Sequence, residues 1–124
     1  QPEKSYQIKF FIEEDAKIIA WAFLVVIQND RHKEPYGIVE NVYVQKNYRG
    51  KGYGKQLMDA LFAKVKEIGC YKLLAQSRYE KEKVHDFYTK LGFKDHGKNF
   101  RMDLIHSTAL QEEFFSNISI HLNN

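Results

Sequence analysis

A glycine-rich stretch near the middle of the chain constrains its folding more than any other segment. Residues 45–55 read Gln-Lys-Asn-Tyr-Arg-Gly-Lys-Gly-Tyr-Gly-Lys, with three glycines, four cations and no acidic residue. A β-branched apolar run, Ile38 to Val44, precedes the stretch, and an amphipathic helical run, Lys55 to Ile68, follows it. Glycines let the backbone approach a ligand, and a helix N-terminus directs free N–H groups and a positive dipole end toward it. The stretch therefore predicts an anion site, most often for a phosphate, between a strand and a helix.

Two common phosphate motifs do not match this stretch. A P-loop needs four residues between its first Gly and Gly-Lys-Ser/Thr, whereas only three residues separate Gly50 from Gly54, and Gln56 follows Lys55. The dinucleotide fingerprint needs a third glycine three residues after the second, and Lys55 stands at that position. The glycine spacing therefore excludes both motifs.

Composition is typical of one globular domain with a hydrophobic core, residues 1–124, because 44% of the residues are hydrophobic and 15% are aromatic. The single cysteine, Cys70, fits a reducing compartment, and no targeting pattern opens the sequence, so a cytoplasmic location is expected. No apolar run reaches the roughly 18 residues of a membrane span. The five histidines lack ligand-like spacing, so no metal is expected. The net charge of +3 is mild and the positive charge is local, which argues against a nucleic-acid partner.

Hydrophobic periodicity predicts three strands before the glycine stretch. Short turns join them, which favours an antiparallel meander. The predicted strands are Tyr6–Ile12, Lys17–Gln28 and Tyr36–Val44. A helix is an alternative for the second of these, but its β-branched residues and the polar turns on each side favour a buried strand.

The second half of the chain alternates helices and strands. After the helix from Lys55 to Ile68, with Gly69 at its C-terminal cap, a short strand is expected over Tyr71–Gln76. A helix between two strands implies a right-handed crossover and a parallel pair. The remaining expected elements are a helix from about Glu80 to Leu91, a closing strand pair Phe93–Lys98 and Asn99–Ile105, and a short amphipathic helix around Leu110, Phe114 and Phe115 within a C-terminal extension, residues 106–124. The predicted class is α/β (α+β), with a mixed, mostly antiparallel sheet and flanking helices.

Two blocks of the sequence together resemble a known family. The spacing Arg49-x-x-Gly52-x-Gly54 resembles the acyl-CoA pyrophosphate loop of the GCN5-related N-acetyltransferases. Residues 87–93, Phe-Tyr-Thr-Lys-Leu-Gly-Phe, look like that family's FYxKLGF signature. The resemblance covers roughly residues 6 to 105. It implies the family's acyl-CoA N-acyltransferase fold with a central, splayed parallel strand pair. The chain starts almost at the meander, which implies an N-terminally reduced acceptor pocket or one completed by a second subunit.

The resemblance implies acetyl-CoA as co-substrate, held by the glycine stretch. Backbone N–H groups there are expected to bind the pyrophosphate, with charge added by the cations. The residues concerned are Arg49, Gly50, Lys51, Gly52, Tyr53, Gly54 and Lys55. By resemblance, the backbone near Tyr43 and Val44 pairs with the pantetheine arm and can supply an N–H to the thioester oxygen. Lys81 occupies a position where many family members have an asparagine that contacts the cofactor.

Two residues are candidates for acid–base chemistry. Tyr88 stands at the family's tyrosine position, and a phenol with a pKa of about 10 can protonate a leaving thiolate. The alternative is that Tyr88 only packs on the apolar side of its helix. Strand alternation places Glu40 on one face with Ile38, Val42 and Val44, where burial would raise its pKa toward that of a useful base. The family often has an acid on this strand, and the alternative is a strand-end carboxylate paired with a lysine.

The leading function is acetyl-CoA-dependent transfer of an acetyl group to a primary amine, by direct attack in a ternary complex. The Gly-Cys-Tyr-Lys stretch at residues 69–72 and the Glu40 region look similar to glucosamine-6-phosphate N-acetyltransferases, so an amino sugar phosphate is one acceptor candidate. Polyamines, other small amines and protein amines are alternatives. A non-catalytic acyl-CoA-binding or regulatory module is the second class of function. A homodimer is expected because apolar residues in the C-terminal extension would otherwise be exposed.

Overall fold

Five strands and two α-helices make up the described part of the chain. The computed structural model describes residues 5–76, 82–105 and 118–123. The elements are β1 (Ser5–Glu14), β2 (Lys17–Ile27), β3 (Tyr36–Val44), a short 3-10 helix (Lys46–Tyr48), α1 (Tyr53–Ile68), β4 (Leu73–Ala75), α2 (Glu82–Lys90) and β5 (Ile118–Asn123). The three predicted meander strands and the helix after the glycine stretch are thus present.

The strands form one mixed sheet in the order β4-β3-β2-β1-β5. The long pairs β1–β2 and β2–β3 are antiparallel, and β3–β4 is parallel, which confirms the predicted class. The β3–β4 pair lies at an edge of the sheet and not at its centre. A second parallel pair, β1–β5, was not predicted.

The β1–β2 hairpin turns within two residues. Asp15 and Ala16 both have positive φ, 50° and 65°, and Glu14 pairs with Lys17. Two left-handed residues make the mirror-image turn whose twist matches that of paired strands. The turn therefore occupies residues 15 and 16, and Glu13 and Glu14 belong to β1.

One face of the sheet carries an apolar, largely aliphatic core beneath α1. Alternate residues of β1, Ile8, Phe10 and Ile12, lie on this face and are 4% exposed or less. The apolar side of α1 covers them with Leu57, Met58 and Leu61, all fully buried. Burial of this kind stabilises a fold by roughly 1.5–3 kcal/mol per large side chain. Gly69 ends α1 in the left-handed conformation, φ 87°, as its position predicts.

The predicted closing strand pair is wrong. Residues 93–105 contain no strand, and Phe100, Met102 and Leu104 are 81–87% exposed. The alternation there suits a strand, but a strand needs a neighbour, and β4 spans only three residues. Residues 118–123 of the expected extension instead form β5, whose Ile120 and Leu122 pack against the core. Leu110, Phe114 and Phe115 lie outside the described residues.

Candidate functional site

The glycine stretch is tied to the sheet at the point where β3 ends. The backbone N–H of Gln45 donates to the Ile19 carbonyl at 2.8 Å, and its side-chain amide donates to the Ile18 carbonyl at 3.1 Å. The 3-10 helix follows, and then Gly50 and Gly52 adopt φ values of 77° and 89°. Only glycine adopts such angles without strain. The backbone therefore turns sharply between the end of β3 and the start of α1.

The N-terminus of α1 is left available to an anion. Gly52 is its cap residue, and no side chain among the described residues caps it or places an acid in its first turn. The first N–H groups of a helix have no intrahelical acceptor, and they carry the positive end of the dipole. Lys55 pairs with Asp59 at 2.8 Å, but both side chains are exposed, so this contact is weak. The arrangement can bind a phosphate or pyrophosphate through the backbone.

An open cavity of about 290 Å³ lies against this loop. Its lining contains most residues predicted to hold the cofactor: Val44, Arg49, Gly50, Gly52, Tyr53, Gly54 and Lys55, together with Tyr48 and Phe87. A Cβ on Gly54 would lie 3.5 Å from the Phe87 ring and 3.9 Å from the Val44 side chain. Phe87 thus brings α2 to the loop. The sequence assigned Phe87 no role of its own, although this residue opens the FYxKLGF block.

A hydrogen bond from the opposite side fixes the start of α1. The Tyr53 hydroxyl donates to a Glu14 carboxylate oxygen, and this hydrogen bond raises the pKa of Tyr53. The Tyr53 ring also meets the Tyr48 ring edge-on, with centroids 6.3 Å apart. Sequence patterns could not reveal the contact because its partners stand 39 residues apart. The β1–β2 hairpin therefore buttresses the wall of the cavity.

Arg49 connects the cavity to the other face of the sheet. Its Nε donates to the Val44 carbonyl at 2.8 Å, and its guanidinium lies 5.3 Å from the centroid of the Tyr43 ring. Tyr43 in turn stacks on Trp21, with centroids 4.9 Å apart. The side chain therefore bends back along β3 and covers its last residues.

Glu40 shares a face with Ile38, as predicted, but not with Val42 and Val44. Asn41 has a φ of 55°, and the β2–β3 register shifts here, so that Phe23 pairs with Glu40 but Trp21 pairs with Tyr43. Such a bulge reverses the alternation beyond it. Val42 and Val44 consequently pack toward the core, whereas Glu40 lies on the face opposite α1 and is exposed. The expected burial of Glu40 is therefore wrong.

Tyr88 lies beside the cavity but is not among its lining residues. Its ring packs against Phe93 at 5.3 Å and Phe87 at 5.6 Å, measured between centroids. Burial raises the pKa of Tyr88, so the phenol stays protonated at neutral pH. Glu40 does not line the cavity either. Lys81 lies outside the described residues.

Two further features of the described ranges bear on function. They contain no group of three or more His, Cys, Asp or Glu residues placed to hold a metal ion. Neither helix within them has both the length and the apolar character to cross a membrane.

Comparisons with known proteins agree with this geometry. A glucosamine 6-phosphate N-acetyltransferase of Trypanosoma brucei brucei is 43% identical over 68 residues, which is 55% of this chain and 44% of the relative. An aminoglycoside N(6')-acetyltransferase type 1 of Stenotrophomonas maltophilia is 33% identical over 78 residues, covering 61% of this chain and 51% of the relative. The chain thus spans about half the length of these curated relatives.

A solved glucosamine-6-phosphate N-acetyltransferase from Arabidopsis thaliana superposes with a TM-score of 0.63 at 28% identity. The match covers 77% of this chain and 63% of that one. The family model described as "Acetyltransferase (GNAT) family" matches residues 2–93, which include the glycine loop and the whole FYxKLGF block. The chain belongs to the GNAT acetyltransferase family.

Proposed function

We propose that this protein is an acetyl-CoA-dependent N-acetyltransferase that acetylates a primary amine of a small molecule. The observation that carries the proposal is the glycine loop. Positive φ angles at Gly50 and Gly52 turn the backbone so that the first turn of α1 borders the cavity. Phe87 of α2 lines the same cavity. Bound acetyl-CoA would supply the activated acetyl group.

The loop residues fit the pyrophosphate of CoA. The first N–H groups of α1 can donate to its oxygens, and Arg49 and Lys51 can add positive charge. Gly54 leaves room between the backbone and Phe87, where a larger side chain would intrude. The pantetheine arm would then follow the end of β3 near Tyr43 and Val44, on the side of β3 that faces β4.

Acyl transfer needs a base for the acceptor ammonium and an acid for the departing thiolate. In the proposed reaction Glu40 accepts an ammonium proton, directly or through water, and the freed amine attacks the thioester carbonyl. The C–S bond breaks as the C–N bond forms, and Tyr88 gives its hydroxyl proton to the CoA thiolate. Glu40 is accessible for this role because it is exposed, and Tyr88 remains protonated because burial raises its pKa.

Amino sugars are the acceptors that we propose to test first. The relatives include proteins named for glucosamine 6-phosphate and for aminoglycosides, and both kinds of compound carry a primary amine on a sugar ring. A thiol-release assay with acetyl-CoA should therefore respond to one or more amino sugars and less to linear amines or peptides. No release with any amine, while CoA still binds, would instead support a non-catalytic acyl-CoA-binding module.

We also propose that the protein works in the cytoplasm as a homodimer. The reason for the dimer is the exposed segment at residues 100–105, where Phe100, Met102, Leu104 and Ile105 are 79–87% exposed. A lone domain rarely exposes so much contiguous apolar surface. Light scattering at about 50 µM protein should give twice the chain mass, and Phe100→Glu with Leu104→Glu should reduce it to that of one chain. A wild-type monomer at this concentration would contradict the dimer.

A further inference from the structure

An aromatic row crosses the sheet face opposite α1, which we call the distal face. Register pairs Tyr43 of β3 with Trp21 of β2, Trp21 with Phe11 of β1, and Phe11 with His121 of β5. Paired residues lie on the same side of a sheet, with neighbouring strands about 4.8 Å apart. Ring centroids are 4.9 Å apart for Trp21–Tyr43 and 5.1 Å apart for Phe11–His121. These four residues therefore form one aromatic row across four strands, with ring contacts within its two end pairs.

The aromatic row begins at the glycine loop. Arg49 lies over its first ring, Tyr43, while the next residue along the chain, Val44, lines the cavity. A thioester carried along the end of β3 would therefore lie one residue from the row. The rings at this end of the row are accessible, because Tyr43 is 42% exposed and Trp21 is half-buried. In the next row Glu40 is exposed too, whereas Phe23 is 6% and Lys9 0% exposed. A ligand on the distal face would thus contact the rings nearest the reacting group.

The bulge in β3 places an acid beside these rings. Because the alternation reverses at Asn41, Glu40 and Tyr43 share the distal face, although they are three residues apart. Glu40 pairs with Phe23, one row from Trp21, which is about 7 Å along the strand. A second carboxylate, Glu13, lies at the other end of the row, 3.1 Å from the ring of His121. Two acids thus flank the aromatic row.

This combination suits a cationic ring compound. An ammonium is attracted to the face of an aromatic ring, most strongly that of tryptophan, and the neighbouring carboxylates add charge complementarity. Trp21 and Tyr43 stack on each other and Arg49 lies over Tyr43, so the apolar side of a sugar ring would pack across the exposed edges of this stack. A purely apolar ligand would make no use of these acids. Two cations also lie on this face, Arg49 over Tyr43 and Lys9 in the row of Phe23, so an ammonium is favoured nearest Glu40.

We infer that the aromatic row is the acceptor platform, and that it binds an amino sugar with its ring on Trp21 and Tyr43 and its ammonium toward Glu40. The inference rests on the proposed function and adds to it the class of acceptor and the residues that select it. Trp21 and Tyr43 act as specificity-determining residues and need take no part in the proton transfers.

The platform can be tested by binding, independently of turnover. Trp21 is the only tryptophan of the chain, so its fluorescence reports directly on the row. Glucosamine 6-phosphate and kanamycin, added to the protein saturated with CoA, should each cause a saturable change in Trp21 emission. Glucose 6-phosphate, which lacks the ammonium, should bind at least ten-fold more weakly than its amino counterpart.

Substitutions then separate the row from general effects on folding. Trp21→Leu and Tyr43→Leu should each weaken amino-sugar binding by calorimetry, or raise the acceptor KM, by about ten-fold. Only Trp21→Leu is expected to leave CoA affinity within about two-fold, because Tyr43 also lies under Arg49 and near the path of the pantetheine arm. Trp21→Phe should retain most of the binding. Tyr71→Leu is the matched control, because Tyr71 is also a half-exposed aromatic, 37% exposed, but stacks on His32 at the other end of β3.

The outcomes distinguish the platform from the proposed function. If acetylation of an amino sugar proceeds but folded Trp21→Leu and Tyr43→Leu keep the wild-type KM, the platform is overturned and the function stands. If no amine is acetylated but amino sugars change Trp21 emission and the leucine variants abolish binding, the platform stands and the function is overturned. If neither probe changes the emission and neither is acetylated, both are overturned.

Discussion

The two faces of the sheet are built from the same strands but differ in the chemistry of their side chains. The face under α1 is largely aliphatic and closed, with Ile8, Leu24 and Leu61 at 4% exposure or less. The distal face carries stacked rings and carboxylates, many of them partly exposed, including Trp21, Glu40 and Tyr43. The comparison suggests that one face supplies most of the stability and the other receives the acceptor. The glycine loop lies at the strand end where the two faces meet.

The largest expected effect tests whether a residue on the helix-covered side of the sheet, Tyr88, takes part in proton transfer. Tyr88→Phe removes only the hydroxyl, so packing on Phe93 should survive. Loss of one positioned proton donor costs about 10²–10⁴ in rate, so kcat should fall by that factor with CoA affinity unchanged. In wild type the alkaline fall in rate reports loss of the protonated acid, and burial, which raises the pKa of Tyr88, moves this fall to a higher pH than an exposed phenol would give. Near-normal kcat in the variant would show that water or another group is the acid.

Glu40→Gln tests in the same way whether the distal face supplies the general base. A base must be unprotonated to act, so the wild-type rate should fall as the pH is lowered. The variant should lose this acidic limb together with about 10²–10⁴ in kcat. Its free energy of unfolding should change little, because Glu40 is exposed. A pH–rate profile that keeps its acidic limb would place the base elsewhere.

The stability of the closed face should depend on single aliphatic side chains. Leu61→Ala leaves a cavity beneath α1 and should lower the free energy of unfolding by about 2–5 kcal/mol in urea titrations. Val25→Ala, a half-buried position that pairs with Ile38 on the distal face, should cost clearly less. Equal losses at the two positions would remove the distinction between the faces.

The smallest effect concerns the β1–β2 turn. This turn sets the register of the two strands and therefore decides which residues lie on each face of the sheet. Ala16 has a φ of 65°, a conformation that costs a residue with a Cβ about 1–2 kcal/mol. Ala16→Gly should therefore stabilise the protein by up to about 1 kcal/mol, since glycine loses more entropy on folding. Ala63→Gly, within α1, is the control of opposite sign and should destabilise by about 1 kcal/mol. A loss of stability in Ala16→Gly would contradict the assigned turn.

Local patterns predicted the elements that local physics determines. The helix after the loop followed from apolar residues at helical spacing and from Gly69, and the meander followed from β-branched runs and short turns. The spacing of Gly50, Gly52 and Gly54 predicted the position of the anion site, because a glycine allows positive φ and close backbone approach whatever its distant neighbours are.

Features that depend on distant partners could not be predicted. The Tyr53–Glu14 hydrogen bond and the approach of Phe87 to Gly54 join segments far apart in the chain. The bulge at Asn41 places Glu40 on the distal face, and strict alternation gives no sign of an inserted residue. Residues 99–105 alternate like a strand but pair with no strand among the described residues, whereas residues 118–123 pair with β1.

Calorimetric titration of CoA into the wild type and two glycine variants tests the central claim most directly. Gly52 and Gly69 have nearly the same φ, 89° and 87°, cap opposite ends of α1, and would place a Cβ with no atom within 4 Å. Gly52→Val and Gly69→Val should therefore lose similar stability through backbone strain. Only Gly52→Val should also weaken CoA binding, by at least about ten-fold, since it alone obstructs the first turn of α1. Equal CoA affinity in the two folded variants would contradict the assignment of the glycine loop as the CoA site.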